Sequence, residues 1–157
     1  MNEDEVSLSM SLPLDSDGFL RRECPTCERE FKWLPSDEEE AEPVQPQDGG
    51  YFCPYCGVQA SDGWLTKAQA ELAGNLIARE AIGPLMDDFK RDIEKHNRRS
   101  KGLLSMSVEY QPPEEMNPLT EDDDMMRVDF LCHPTEPLKI LEDSTKSPHC
   151  LICGETS

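Results

Sequence analysis

Cysteine spacing constrains this chain more than any other feature. Six of its seven cysteines fall in Cys-x-x-Cys pairs: Cys24/Cys27, Cys53/Cys56 and Cys150/Cys153, with Cys132 standing alone. Two thiolates separated by two residues have the right bite for one edge of a tetrahedral metal site. A tight turn across each pair aims backbone amides at the sulfurs. Gly57 and Gly154, which follow the second cysteine, can take the positive φ that such a turn demands. The first two pairs are separated by 25 residues, longer than the usual window for a four-cysteine zinc site. The surplus is the acidic, proline-bearing run 36–49, which can loop out because closure entropy grows only with the logarithm of length. A disulfide reading lacks a secretory leader: the chain starts Met1-Asn2-Glu3-Asp4-Glu5, acidic where a leader is basic and then apolar. A thioredoxin-type redox reading lacks its βαβ context.

Short strands are expected around the first two pairs, from Phe19-Leu20-Arg21-Arg22-Glu23, Phe31-Lys32-Trp33-Leu34 and Tyr51-Phe52, with Phe31, Trp33 and Tyr51 as a minimal core. This arrangement over residues 19–58, carried by Cys24, Cys27, Cys53 and Cys56, resembles a zinc ribbon. The resemblance implies one structural Zn(II) held by four thiolates, with no open coordination position and no hydrolytic chemistry.

The C-terminal end reads as a second copy. Met126–Cys132 matches the entering strand, Leu138–Leu141 the leaving strand, and Cys150-Leu151-Ile152-Cys153-Gly154 the second knuckle. In that register Cys132 aligns with Cys24 and Thr135 with Cys27, so the copy lacks one cysteine. His133 or His149 can supply a fourth ligand and a second zinc, His133 ahead of His149. Otherwise Leu131, Leu138, Ile140 and Ile152 hold a metal-free ribbon together by packing. A complete ribbon, a helical segment and a degenerate ribbon ending in Cys-x-x-Cys-Gly resemble the tandem zinc-ribbon proteins widespread in bacteria. That likeness implies contacts with protein or nucleic acid rather than catalysis.

Between the ribbons, residues 66–97 carry helical periodicity. Thr66 and Gln69 form a capping box, and Leu72, Ala73, Leu76, Ile77 and Ala81 repeat at helical spacing. Gly83-Pro84 interrupts, and Leu85, Met86, Phe89 and Ile93 continue the stripe. The expectation is one kinked helix or a helix pair whose apolar stripe is the core both ribbons pack on, with a free partner-binding groove or homodimer seam as the alternative. Leu103–Tyr110 reads as a strand that can join the edge of the second ribbon's sheet beside 126–132. The expected class is therefore a small α+β protein. Its organisation is an acidic flexible N-terminus (1–18), ribbon one (19–62), a helical spacer (63–102), and a β-rich second module (103–157) with an acidic loop at 111–125.

Charge narrows the function. Fifteen Lys and Arg stand against 33 Asp and Glu, a formal net charge of −18 that repels nucleic-acid backbones. Segments 1–20, 37–48 and 114–124 hold 17 of the acids and no base, leaving sixteen acids to fifteen bases elsewhere. Like-charge repulsion and proline mark those segments as solvated loops or linkers. One patch departs from this background: Lys90, Arg91, Lys95, Arg98, Arg99 and Lys101, near His96, at the end of the helical segment. It complements the helix dipole, and it is also the candidate phosphate contact of a nucleic-acid-associated regulator. No Gly-rich phosphate loop, His-Glu-x-x-His or Gly-x-Ser-x-Gly motif is present, so no enzyme is expected. With no apolar run of membrane-spanning length, the expectation is a cytoplasmic, non-enzymatic zinc protein that engages a protein partner and no membrane.

Overall fold

The computed structural model describes residues 7–35, 48–144 and 146–156. Glu3, Asp4 and Glu5, and Asp37–Glu42 of the second acidic run, lie outside the described residues. The fold is small α+β, with antiparallel strands and one long helical rod between the two cysteine-bearing segments in chain order. It divides into two compact units, Leu12–Gln69 with Leu119–Ser157, and Met1–Ser11 with Ala70–Pro118.

The first unit holds the strands. β1 (Leu20–Glu23), β2 (Glu30–Trp33), β5 (Met126–Val128) and β6 (Leu138–Ile140) form one antiparallel sheet in the order β1-β2-β6-β5. β3 (Tyr51–Phe52) and β4 (Gln59–Ala60) form a separate two-stranded hairpin. The entering and leaving strands of both expected ribbons are present, but β2 of the first pairs with β6 of the second, Trp33 opposite Leu138. The two copies thus share one sheet and one core. Phe31, Trp64, Phe130, Leu138, Ile140, Leu151 and Ile152 are buried together with Cys24, Cys53 and Cys150. Trp64 packs edge-on to Phe31, their ring centroids 5.8 Å apart. Trp33 and Tyr51 flank this cluster half-buried.

The opposite side of the sheet carries an unexpected row of cations. Register places Arg21 opposite Lys32, Lys32 opposite Lys139, and Lys139 opposite Arg127, one base on each of the four strands. Like charges directly across a sheet repel, so such a row needs counter-ions. Acidic segments expected to be solvated supply them. Asp15 bonds Lys139 at 2.7 Å and Lys32 at 3.3 Å, and Asp17 bonds Lys139 at 2.6 Å. Glu121 bonds Arg21 at 2.7 Å and Lys32 at 2.9 Å, and Asp124 bonds Arg21 at 2.6 Å. The side chains of Lys32 and Asp15 are both 0% exposed. The solvated reading is therefore corrected for Asp15, Asp17, Glu121 and Asp124, which pin their loops across the sheet.

The helical rod starts in the last residues of the Leu12–Gln69 segment and runs on through the second unit. The capping box forms as read: Gln69 N–H donates to Thr66 Oγ1 at 3.2 Å and Thr66 N–H to Gln69 Oε1 at 3.1 Å. α1 (Lys67–Ile77) passes into a π-helical turn, Ala78–Ile82, and on into α2 (Gly83–Arg99) without a break. Pro84 has no N–H to return to the preceding turn, and Gly83 N–H reaches back five residues to the Ala78 carbonyl. The widened turn accommodates the proline that was expected to interrupt the helix.

Two expectations fail here. Residues 103–110 form no strand. Asn97 takes the place of a strand partner: its Nδ2 donates to the Met106 carbonyl at 2.7 Å and its Oδ1 accepts from the Met106 amide at 3.0 Å. Tyr110 Oη donates to the Ala78 carbonyl at 2.9 Å. Nor is the apolar stripe a core. Of α2 only Gly83 and Ile93 are buried, while Ile82, Leu85 and Phe89 remain 40%, 67% and 53% exposed.

Asp15 anchors the cation row and offers a test. Burial alone would raise its carboxyl, but the Lys139 ammonium, the Phe19 and Asp17 amides and Lys32 together bring it down from 3.8 to about 2. A depressed carboxylate contributes stability in full above its unfolded value and loses it as pH falls toward the folded one. Asp15→Asn is therefore expected to cost about 2–3 kcal/mol in denaturant titrations with zinc present, equally at pH 5 and pH 8. A cost that shrinks between those pH values would contradict the assignment.

Candidate metal centres

Three of the cysteine-bearing segments adopt one repeated turn. The N–H four residues after the first cysteine donates to that cysteine's carbonyl: Glu28 to Cys24 at 3.0 Å, Gly57 to Cys53 at 3.0 Å, Gly154 to Cys150 at 2.9 Å. Each first cysteine in turn donates its own N–H to the next carbonyl, on Arg29, Val58 and Glu155. The turn needs a positive φ, found at Glu28 (57°), Gly57 (70°) and Gly154 (73°). At two of these positions glycine is also required by close packing. A Cβ on Gly154 would lie 2.8 Å from the Phe52 ring, and one on Gly57 would lie 3.0 Å from the His149 ring. Freed amides point at sulfur: Thr26 and Cys27 donate to Cys24 Sγ at 3.3 and 3.4 Å, and Tyr55 donates to Cys53 Sγ at 3.3 Å.

The first group gathers Cys24, Cys27, Cys53 and Cys56 with all four sulfurs within 4.8 Å of one another. Cys24 and Cys56 Sγ are 3.8 Å apart, and Cys27 and Cys53 Sγ 3.7 Å. Metal–sulfur bonds of about 2.3 Å arranged tetrahedrally have edges of about 3.8 Å. A disulfide, at about 2.05 Å, is excluded by the same distances. The cysteines sit at the mouth of the core: Cys24 and Cys53 are buried, Cys27 is half-buried and Cys56 is exposed.

The second group is Cys132, His133, Cys150 and Cys153, again within 4.8 Å. Cys153 and Cys132 Sγ are 3.5 Å apart, and His133 Nδ1 lies 3.4 Å from Cys150 Sγ. An imidazole bonded at about 2.0–2.1 Å shortens the nitrogen–sulfur edge of such a tetrahedron to about 3.6 Å. Thr135, which aligns with a cysteine of the first copy, is absent from the group; the adjacent residues Cys132 and His133 provide both ligands of that side. His149 is engaged elsewhere, its Nδ1 3.0 Å from the Gly154 carbonyl. The metal-free packing alternative fails at Leu131, which is fully exposed, although Leu138, Ile140 and Ile152 are buried.

Without an ion three of the gathered thiols, Cys27, Cys53 and Cys132, are poorer acids than a free cysteine. Burial, with Cys24 close by, pushes the Cys53 thiol far up, and burial with Cys153 and Cys150 alongside pushes Cys132 up to about 12. Burial works the same way on Cys24, but the amides of Cys27 and Thr26 outweigh it and bring that thiol down. A divalent cation removes the conflict by drawing all the sulfurs into the thiolate form. Four sulfurs in one group and three sulfurs with one imidazole in the other are donor sets that suit zinc.

The basic residues stand elsewhere. Lys90, Arg91, Lys95, Arg98 and Arg99 lie along α2, with Lys101 just beyond it, and all six are exposed. Arg91 pairs with Asp88 and Lys95 with Asp92 on the same helix. Among the described residues, no helix is long and apolar enough to cross a membrane. What the sequence did not reveal is the cation row, whose only signal was the isolated Lys32 and Lys139 within otherwise apolar strands.

The chain matches no protein-family model, no curated protein and no solved structure.

Metal analysis of protein purified from zinc-supplemented medium is expected to give about two zinc ions per chain. Cys24→Ser should lose one and His133→Ala the other, while His149→Ala keeps both. Retention of both ions by His133→Ala would remove it from the second centre.

Proposed function

We propose that this chain is a non-enzymatic zinc-holding module that serves as an adaptor or regulator through contacts with a protein partner. The observation that supports the reading is a pair of four-residue groups whose ligand atoms lie within 4.8 Å of one another, each enough to close a tetrahedral site. A closed set leaves no position for substrate or activated water, so its role is to fix shape. Every cysteine of the chain belongs to one of them. The family likeness, to tandem zinc-ribbon proteins, and the zinc identity of the ions belong to this proposal. So does the view that the module presents an acidic surface, since the net charge of −18 favours a basic or apolar partner.

Two measurements test it. Chelation should abolish near-ultraviolet tryptophan dichroism, because Trp33 and Trp64 are held in the core the cysteines line. Immobilised zinc-loaded chain should retain a protein that the Cys24→Ser variant does not. Nucleic acid in the eluate, released by salt and lost in an Arg98→Ala/Arg99→Ala variant, would instead support phosphate contacts through residues 90–101.

A further inference from the structure

α2 is strongly amphipathic yet buries almost none of its apolar side. Helices draw most of their stability from packing such a face. Here Leu85 and Phe89, one turn apart, are 67% and 53% exposed, and Ile82 before them is 40% exposed. Just past the helix end Leu103 and Leu104 are 90% and 61% exposed. Large apolar side chains left exposed together on one helix face mark an association surface.

The charges beside that line say what covers it. Along one flank, at spacings of four, three and four residues, run Asp88, Asp92, Lys95 and Arg99: two acids, then two bases. When two identical helices pack antiparallel about a two-fold axis, each flank faces the same flank of the other copy. With the axis near residues 93 and 94, Asp92 meets Lys95 of the second copy and Asp88 meets Arg99. In the same register Leu85 and Phe89 lie over the last turns of the second copy's α2. A parallel pairing turns this flank toward the opposite flank of the second copy, so these four residues do not meet one another. The existing intrahelical pairs, Arg91 with Asp88 and Lys95 with Asp92 at 3.4 Å, are exposed and worth little, so they yield to intermolecular ones.

We infer that the exposed face of α2, Leu85 and Phe89 flanked by Asp88, Asp92, Lys95 and Arg99, is the self-complementary seam of an antiparallel homodimer. The inference is independent of the zinc reading, since none of these residues belongs to either donor set.

The test uses the full zinc-loaded chain in sedimentation equilibrium. A mass about twice the 17.8 kDa chain is expected at micromolar concentration. Phe89→Asp should give a monomer with unchanged zinc content and helical dichroism. Asp88→Lys with Asp92→Lys makes the flank wholly basic and should weaken association at least about tenfold. Adding Lys95→Glu and Arg99→Glu restores complementarity and should recover the dimer. Should Phe89→Asp lose helicity, the charge series alone decides. A monomeric parent chain, a dimer that survives Phe89→Asp, or association indifferent to the charge reversals would each overturn the inference.

Discussion

Four sulfurs gathered like the corners of one tetrahedron are the constraint on which the strand-bearing unit depends. Its strands are two to four residues long, too short to be stable on their own. The turns that carry Cys24, Cys53 and Cys150 share one conformation, each needing a residue at positive φ, which glycine supplies in two of them. An ion binds only when those turns are formed, so its binding free energy becomes folding free energy. The two centres are also not independent. The Phe52 amide donates to the Leu151 carbonyl at 2.9 Å and the His149 amide to the Pro54 carbonyl at 2.9 Å. Order at one knuckle is thereby transmitted to the next through the backbone.

The cation row works on the other side of the same sheet by a different route. Removing Lys32 and Lys139 from water is expensive, and the cost is offset only because Asp15, Asp17, Glu121 and Asp124 arrive in bonding geometry. Such a cluster is weak evidence for net stability, but it specifies register. Slipping β6 by one residue against β2 would turn Lys139 toward the core side and Leu138 or Ile140 toward the carboxylates. The acidic segments thus select one arrangement of the shared sheet, while the sulfurs hold it closed. Neither task needs much apolar surface, which suits a chain only 36% hydrophobic.

What the sequence revealed was local. Cys-x-x-Cys followed by glycine dictates a turn within five residues, and Thr66-x-x-Gln69 dictates a helix start within four; both appear as read. The failures are all questions of what a segment meets. Residues 103–110 have the alternation of a strand, but an asparagine side chain on α2 captures the Met106 amide and carbonyl before any strand does. Glu121 and Asp124 resemble their solvated neighbours in every local respect. Their ion pairs with Arg21 and Lys32 follow from strand pairings that the β2–β6 contact sets, more than 100 residues apart in sequence. The fourth ligand of the second centre lay between these cases. Two histidines sat beside cysteines, and only the engagement of His149 with the Gly154 carbonyl separates them.

The two units answer the shortage of apolar residues in opposite ways. The unit that holds the strands places its few large side chains inside, and adds buried ion pairs and two donor groups that could each hold a metal where a larger protein uses more core. The helical unit leaves Leu85 and Phe89 outside, where they stabilise nothing unless something covers them. Covering them with a second copy brings together two chains of charge −18 each, and that repulsion is felt most at short range because salt screens it beyond about 8–10 Å. Only charges near the seam therefore decide whether two copies can approach. Two acids, Asp88 and Asp92, followed by two bases, Lys95 and Arg99, would remove the repulsion at the one place where screening cannot.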